Sequence, residues 1–334
     1  MRKIIITDSI RIFAGKYSNA MQRACPNVIR DLEQLRDNIV VYNNVRDTSI
    51  VSDYINQIIS DYPTILTMEP KDWNLTKYDK ILNGSNVLSA KFNYRIKKKD
   101  IAGNATSYYK DQLYKRIMFC LKYEKARNIL GEIHQEMKLK ACIYCNTQPT
   151  RSANHEVFYE MDHLKPQSFY PFLGTCFFNL QPSDSSCNKR KLANPCDFQL
   201  YINDNKEEVS PFKFLPQITS ISPEKEQKCI EIKFVAKSGI ETVESIQHRT
   251  TFHLDNLYAA YIDKVDELYK KNNKMSEGMI SAYKASIGYE PTRSELTAFL
   301  LDCPYDESRI HEDVLRKLKV DTMKQLDDAG LLIK

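Results

Sequence analysis

Between Lys140 and Phe198 the helical periodicity that marks most of this chain stops, and cysteines, prolines, asparagines and an Asp-His pair crowd together. That change of texture constrains the fold most, because so short a stretch cannot bury an adequate apolar core by itself. It needs a staple. Cys142-Ile-Tyr-Cys145 supplies half of one: two cysteines separated by two residues can fold back in a knuckle, with both thiolates on one Zn²⁺. Asp184-Ser-Ser-Cys187 repeats the gap with a carboxylate in the first place. Cys142, Cys145, Asp184 and Cys187 are therefore the expected zinc ligands, with Cys176, Cys196 and His155 as substitutes for Asp184.

Nine cysteines is an odd count, scattered along the chain, and argues against a disulfide framework. The start, Met1 to Asp8, has a basic head, but Asp8 ends its apolar run too early for a secretion signal. No stretch approaches the ~18 apolar residues of a membrane span. A cytoplasmic protein is expected. Only 9 glycines are present and no Gly-rich phosphate loop is found, while the net charge of +5 permits nucleic-acid binding without demanding it.

The chemistry lies inside the brackets. Glu156 to Met161 reads as a strand running into Asp162-His163, and Pro166 limits its extension. On a regular strand these two side chains face opposite ways, so the chain must bend or end there for both to serve one site. Asn179-Leu-Gln-Pro follows, then Cys187-Asn188-Lys189-Arg190-Lys191 on a short helix, with Asn188 and Lys191 on one face. Asp162 and the Asn188 carboxamide offer oxygen ligands to a hard cation, Mg²⁺ or Mn²⁺. His163 can take a proton from an attacking water, and Lys189, Arg190 and Lys191 can meet phosphates. A base, a Lewis acid and a phosphate grip are the parts of metal-assisted phosphodiester hydrolysis.

Residues Cys142 to Lys191, about fifty of 334, resemble an HNH endonuclease of the ββα-metal family in the order CxxC, Asp-His, Asn-Leu, then CxxC-Asn-x-x-Lys, with Asp184 departing from the expected cysteine. The resemblance implies that His163 is the general base, Asp162 and Asn188 ligate the catalytic metal, and Asn179 holds the base and its loop in place. It also implies structural zinc on the Cys142, Cys145 and Cys187 positions. The run Glu160 to Ser168 followed by Phe169-Tyr-Pro171 is similar to HNH nucleases of bacterial anti-phage systems, retron-linked ones included. The likeness implies DNA as substrate and a regulatory defence-system protein as partner. Two other readings use the same residues: a non-catalytic zinc module binding nucleic acid or a protein, and an RNA-directed nuclease.

The expected architecture is α+β and mainly helical, with a central zinc-stabilised ββα module (140–198) between a helical region (1–139) and a β-hairpin-plus-helices region (199–334). Helices are predicted from Pro26 with Val28, Leu32, Leu35 and Ile39 on one face, from Thr48 until Pro63, and in one long run from Thr106 to Lys138. Lys91 to Lys99 is a basic, aromatic-containing stretch, better read as a half-buried strand than as a DNA-contacting strip. Ile230, Ile232 and Phe234 alternate as a strand, Ser238-Gly239 suits a turn, and Thr242 to Ile246 is the expected return strand. Further helices are predicted along Leu257 to Leu268 and at 276–286, 293–301, 307–318 and 322–328.

Overall fold

The structure, a computed structural model, describes residues 1–40, 48–82, 87–96, 107–193, 196, 198–203, 208–222, 227–274, 277–302 and 305–332. It is a mainly helical α+β protein with small sheets and a buried cluster of three cysteines.

The N-terminal part begins with β1 (Ile4–Ile5) and α1 (Asp8–Ala24), followed by α2 (Val28–Asn38), β2 (Ile39–Val40), α3 (Thr48–Ile65) and α4 (Leu75–Leu82). In α2 the predicted stripe is real: Val28, Leu32 and Leu35 are buried. Helix α3 runs two residues past Pro63, which sits in its last turn. The long helix expected from Thr106 is three elements instead. Strand β4 (Ser107–Gln112) pairs antiparallel with β3 (Lys91–Ile96), and α5 (Leu113–Cys120) and α6 (Tyr123–Glu136) follow. Lys122, in the left-handed region at φ 60°, breaks the two helices apart. The Lys91–Ile96 part of the basic stretch is thus strand; Lys97 to Lys99 lie outside the described residues.

The central part carries β5 (Ser152–Ala153), β6 (Glu156–Val157), β7 (Glu160–His163), β8 (Leu180–Ser183) and α7 (Ser185–Ala193). Val157, Tyr159 and Met161 are buried, as the alternation predicts. Strands β7 and β8 are antiparallel, with Asp162 opposite Gln181 and His163 opposite Leu180, and α7 packs against β7.

In the C-terminal part, β9 (Tyr201–Ile202) pairs in parallel with β1, and β10 (Phe212–Ser222) forms a hairpin with β11 (Gln227–Ala236). The strand containing Ile230, Ile232 and Phe234 therefore pairs backwards in the chain. The predicted return strand is instead the start of α8 (Val243–Phe252), because Thr242 and Ser245 close a reciprocal capping box. Val243 and Ile246, within the expected return strand, face solvent at 77% and 40% exposure. Helices α9 (Leu254–Ala259), α10 (Ile262–Lys274), α11 (Glu277–Ile287), α12 (Arg293–Leu301) and α13 (Arg316–Asp328) complete the chain. The helix expected along Leu257 to Leu268 is thus divided between α9 and α10. Residues Glu307–Glu312 form a separate short 3₁₀ turn before α13, dividing the helix expected over 307–318.

One apolar core draws buried residues from all three parts, from Met1 through Tyr144 to Leu318. Among the described residues no helix is long and apolar enough to cross a membrane.

Candidate functional site

The knuckle is built by backbone geometry. Cys142 N–H donates to the Gln148 carbonyl at 2.9 Å, and Asn146, left-handed at φ 56°, returns its N–H to the Cys142 carbonyl at 2.9 Å. Cys142 and Cys145 thereby come together, and Cys187 arrives from the first turn of α7. The three Sγ atoms lie within 4.8 Å of one another, all buried. Two donors already point at sulfur: the Asp184 N–H at 3.3 Å from Cys142 Sγ, and the Thr147 hydroxyl at 3.2 Å from Cys145 Sγ. Burial pushes the Cys142 thiol up, while hydrogen bonds from Cys142, Cys187 and Thr147 hold Cys145 well below the usual thiol value. Three soft donors so placed, with N–H and O–H groups ready to stabilise thiolates, fit zinc.

Asp184 has a different occupation from the one its spacing suggests. Its Oδ2 accepts from the Ser186 N–H at 2.9 Å and from the Ser186 hydroxyl, which makes it the N-cap of α7. Among the described residues the metal-ligand group comprises Cys142, Cys145 and Cys187. The substitutes are engaged elsewhere: Cys176 Sγ donates to the Met68 carbonyl, Cys196 faces His248, and His155 is exposed beside Glu132.

Above the knuckle lies the Asp-His pair. Strand β7 ends at His163, but Asp162 and His163 still occupy successive ladder positions, opposite Gln181 and Leu180. Asp162 is buried; its Oδ2 accepts from the Tyr144 hydroxyl and from Lys191 Nζ at 2.5 Å, and neither bond engages Oδ1. Lys191 also donates to the His163 carbonyl at 3.0 Å. His163 Nε2 stands 3.0 Å from the Gly174 carbonyl, an acceptor only, so Nε2 carries the proton and Nδ1 keeps the lone pair. Burial draws the His163 pKa below the ordinary histidine value, against the opposing pull of that carbonyl.

Asn179 brackets the connecting loop. Its Oδ1 accepts from the Lys165 N–H at 2.7 Å, and its Nδ2 donates to the carbonyls of Lys165 and Leu173 at 3.2 and 3.0 Å. Asn188 is half-buried on α7, three residues before Lys191. Of the three basic residues proposed to meet phosphate, Lys189 is exposed and Arg190 donates to the Phe252 carbonyl at 3.0 Å. Lys191 is turned inward onto Asp162, with its side chain 10% exposed.

Several residues that matter here carry no motif. Tyr144, within the CxxC loop, donates to Asp162 and receives the Gln181 amide at 2.9 Å. Its position between two cysteines places it beside β7, a signal visible in hindsight only through the pairing of the strands. Asn146 ties the knuckle to the C-terminal region: its Nδ2 donates to the carbonyls of Ile310 and Asp313, and its Oδ1 accepts from the Lys317 N–H at 2.9 Å. The Tyr258 hydroxyl donates to the Cys145 carbonyl at 2.7 Å and His248 Nε2 to the Tyr144 carbonyl at 2.8 Å. The C-terminal elements therefore buttress the knuckle directly. Compared with known protein families, with curated proteins and with solved structures, the chain finds no match in any of the three.

Proposed function

We propose that this protein is a metal-dependent phosphodiester hydrolase of the HNH type acting on DNA. The observation that supports the reading is that Lys191 on α7 bonds the Asp162 carboxylate and the His163 carbonyl on β7, with Asn179 bracketing the loop after His163, on a strand–strand–helix unit that also carries three buried thiols. Zinc on Cys142, Cys145 and Cys187 would clamp the base of that unit, supplying folding free energy that so small a hairpin lacks.

In the proposed step His163, fixed through Nε2 to Gly174, presents Nδ1 as the atom that accepts a proton from water. Asn179 keeps the loop after the base in register, so the ring cannot swing away. Lys191 and Tyr144 hold the Asp162 carboxylate by one oxygen and leave Oδ1 facing its own choice of partner. Asp162 and Asn188 would hold a hard divalent cation, which when bound supplies Lewis-acid stabilisation to charge building on the phosphate. Lys189, exposed on α7, is placed to meet a flanking phosphate.

A second reading, a non-catalytic zinc module, draws on the Lys191–Asp162 pair, which is also what a purely structural ion pair looks like. Incubating supercoiled, linear and single-stranded DNA, and RNA, with and without Mg²⁺ or Mn²⁺ separates them. Mg²⁺-dependent nicking of DNA is the result expected. A zinc-loaded, folded protein that cleaves nothing under any of these conditions favours the second reading.

A further inference from the structure

Phe119, near the end of α5, is 62% exposed, although most of its helix neighbours, Leu113, Ile117, Met118 and Cys120, are buried. It does not stand alone. The Arg116 guanidinium lies 4.8 Å from its ring centroid and Lys122 Nζ 5.1 Å from it. Together with Lys115, Met118, Tyr123, Glu124 and Lys125 it lines a shallow cavity of about 310 Å³. Three lysines face one glutamate there, and Lys115 and Lys125 are exposed, while Lys122 pairs with Asp31 at 2.5 Å. A mostly exposed aromatic ring, with cations already over it and further ammonium groups around it, matches an aromatic base on a phosphate chain in chemistry: a base can displace or sandwich with the mobile cationic side chains.

The shelf adjoins the Asp-His pair. Tyr123, which lines the cavity, places its ring centroid 5.1 Å from that of His163 and donates its hydroxyl to the Met161 carbonyl at 3.1 Å. Met118 packs over Gly174, the residue whose carbonyl receives His163, so closely that a Cβ there would fall 2.1 Å from Sδ. Tyr123 thus touches the shelf on one side and the candidate base on the other.

We infer that Phe119 is a stacking platform for an unpaired base of single-stranded DNA, with Lys115 and Lys125 gripping the flanking phosphates, an assignment that rests on the nuclease reading of Asp162 and His163. In blunt duplex DNA the base faces are already stacked on one another, so the platform distinguishes a single strand from a duplex.

The test is fluorescence anisotropy of labelled oligothymidylate and of a blunt duplex, using the full chain carrying His163→Ala so that nothing is cut. Phe119→Ala is expected to weaken single-strand binding about tenfold to a hundredfold and to change duplex binding less than about twofold. Phe119→Trp keeps single-strand affinity, and Phe119→Leu, apolar without a π-face, loses it as alanine does. Single-strand binding unchanged in a folded Phe119→Ala protein, or retained in Phe119→Leu, overturns the assignment; so does an equal loss on the duplex. Failure of the two readings is separable. Phe119-dependent binding without cleavage by the His163 protein leaves the shelf standing and removes the nuclease, whereas cleavage indifferent to Phe119 does the reverse.

Discussion

Lys191 and Asp162, 29 residues apart in sequence, form a nearly solvent-free ion pair at 2.5 Å, and the same ammonium group holds the carbonyl of His163 at 3.0 Å. One side chain of α7 thus fixes both members of the Asp-His pair.

Removing that lysine leaves a buried carboxylate whose remaining hydrogen-bond partner among the described residues is the Tyr144 hydroxyl. Lys191→Met is expected to lower stability by about 3–5 kcal/mol and to reduce DNA cleavage with it. The double variant Asp162→Asn/Lys191→Met removes both charges and should recover most of the stability, while cleavage stays absent. Denaturant midpoints and plasmid nicking on the same preparations check this. A double variant as unstable as the single one would show that the pair is not what holds the site.

Gly174 is a positioning residue through its carbonyl. An added Cβ would meet Met118 Sδ at 2.1 Å and the Pro171 carbonyl oxygen at 2.9 Å, so the 171–174 turn must shift. Gly174→Ala is expected to cost about 1–3 kcal/mol of stability and to depress kcat, because the His163 ring moves with the carbonyl that holds it. Adding Met118→Ala relieves the larger clash and should return part of kcat. If kcat survives Gly174→Ala intact, the carbonyl does not set the ring.

Asp184 and Cys187 should behave oppositely. Asp184→Ala removes a helix cap, at a cost of about 1 kcal/mol, and keeps bound zinc. Cys187→Ala removes one of the three sulfurs and should abolish stable zinc binding and loosen the 140–198 segment. Elemental analysis beside a melting curve reads both; zinc lost in Asp184→Ala would restore the carboxylate as a ligand.

Acid sensitivity follows from two buried histidines. Burial draws the pKa of both His134 and His311 down to about 3, and their ring nitrogens face the Tyr159 hydroxyl and the Arg2 carbonyl. In the unfolded chain the same rings take a proton near pH 6.5. The unfolded state therefore binds more protons below that value, and stability present above it is lost as pH falls toward 3, by up to ~1.4 kcal/mol per unit for each ring. Urea midpoints between pH 7 and 5 should fall less steeply in His134→Gln, by about one proton's worth. An unchanged slope would mean the folded ring is protonated.

How much of this was readable in advance divides along physical lines. Local signals held where the determinant was local: the Val28–Leu35 stripe, the Arg293–Leu301 helix and the Cys142/Cys145/Cys187 grouping, whereas the strand expected over Glu156 to Met161 is divided between β6 and β7. They misled where a nearby competitor won. Thr242 with Ser245 caps a helix more effectively than Val243 and Ile246 make a strand, and pairing with Lys91–Ile96 drew 107–112 out of the predicted long helix. The inward turn of Lys191, the Tyr144 hydroxyl and the Asn146 tether depend on contacts between segments distant in sequence, which no spacing reveals. Helix α1, whose buried Ala14, Tyr17 and Met21 face the core, was not anticipated from periodicity either.

The central claim is that the His163 imidazole, held through Nε2 and next in sequence to a buried carboxylate, serves phosphodiester hydrolysis. Nicking of supercoiled plasmid in Mg²⁺, compared between the unaltered chain and His163→Ala at equal zinc content and equal melting temperature, measures it directly. The account predicts loss of about 10²- to 10⁴-fold in rate with fold and zinc intact; an alanine variant that nicks as fast as its parent contradicts it.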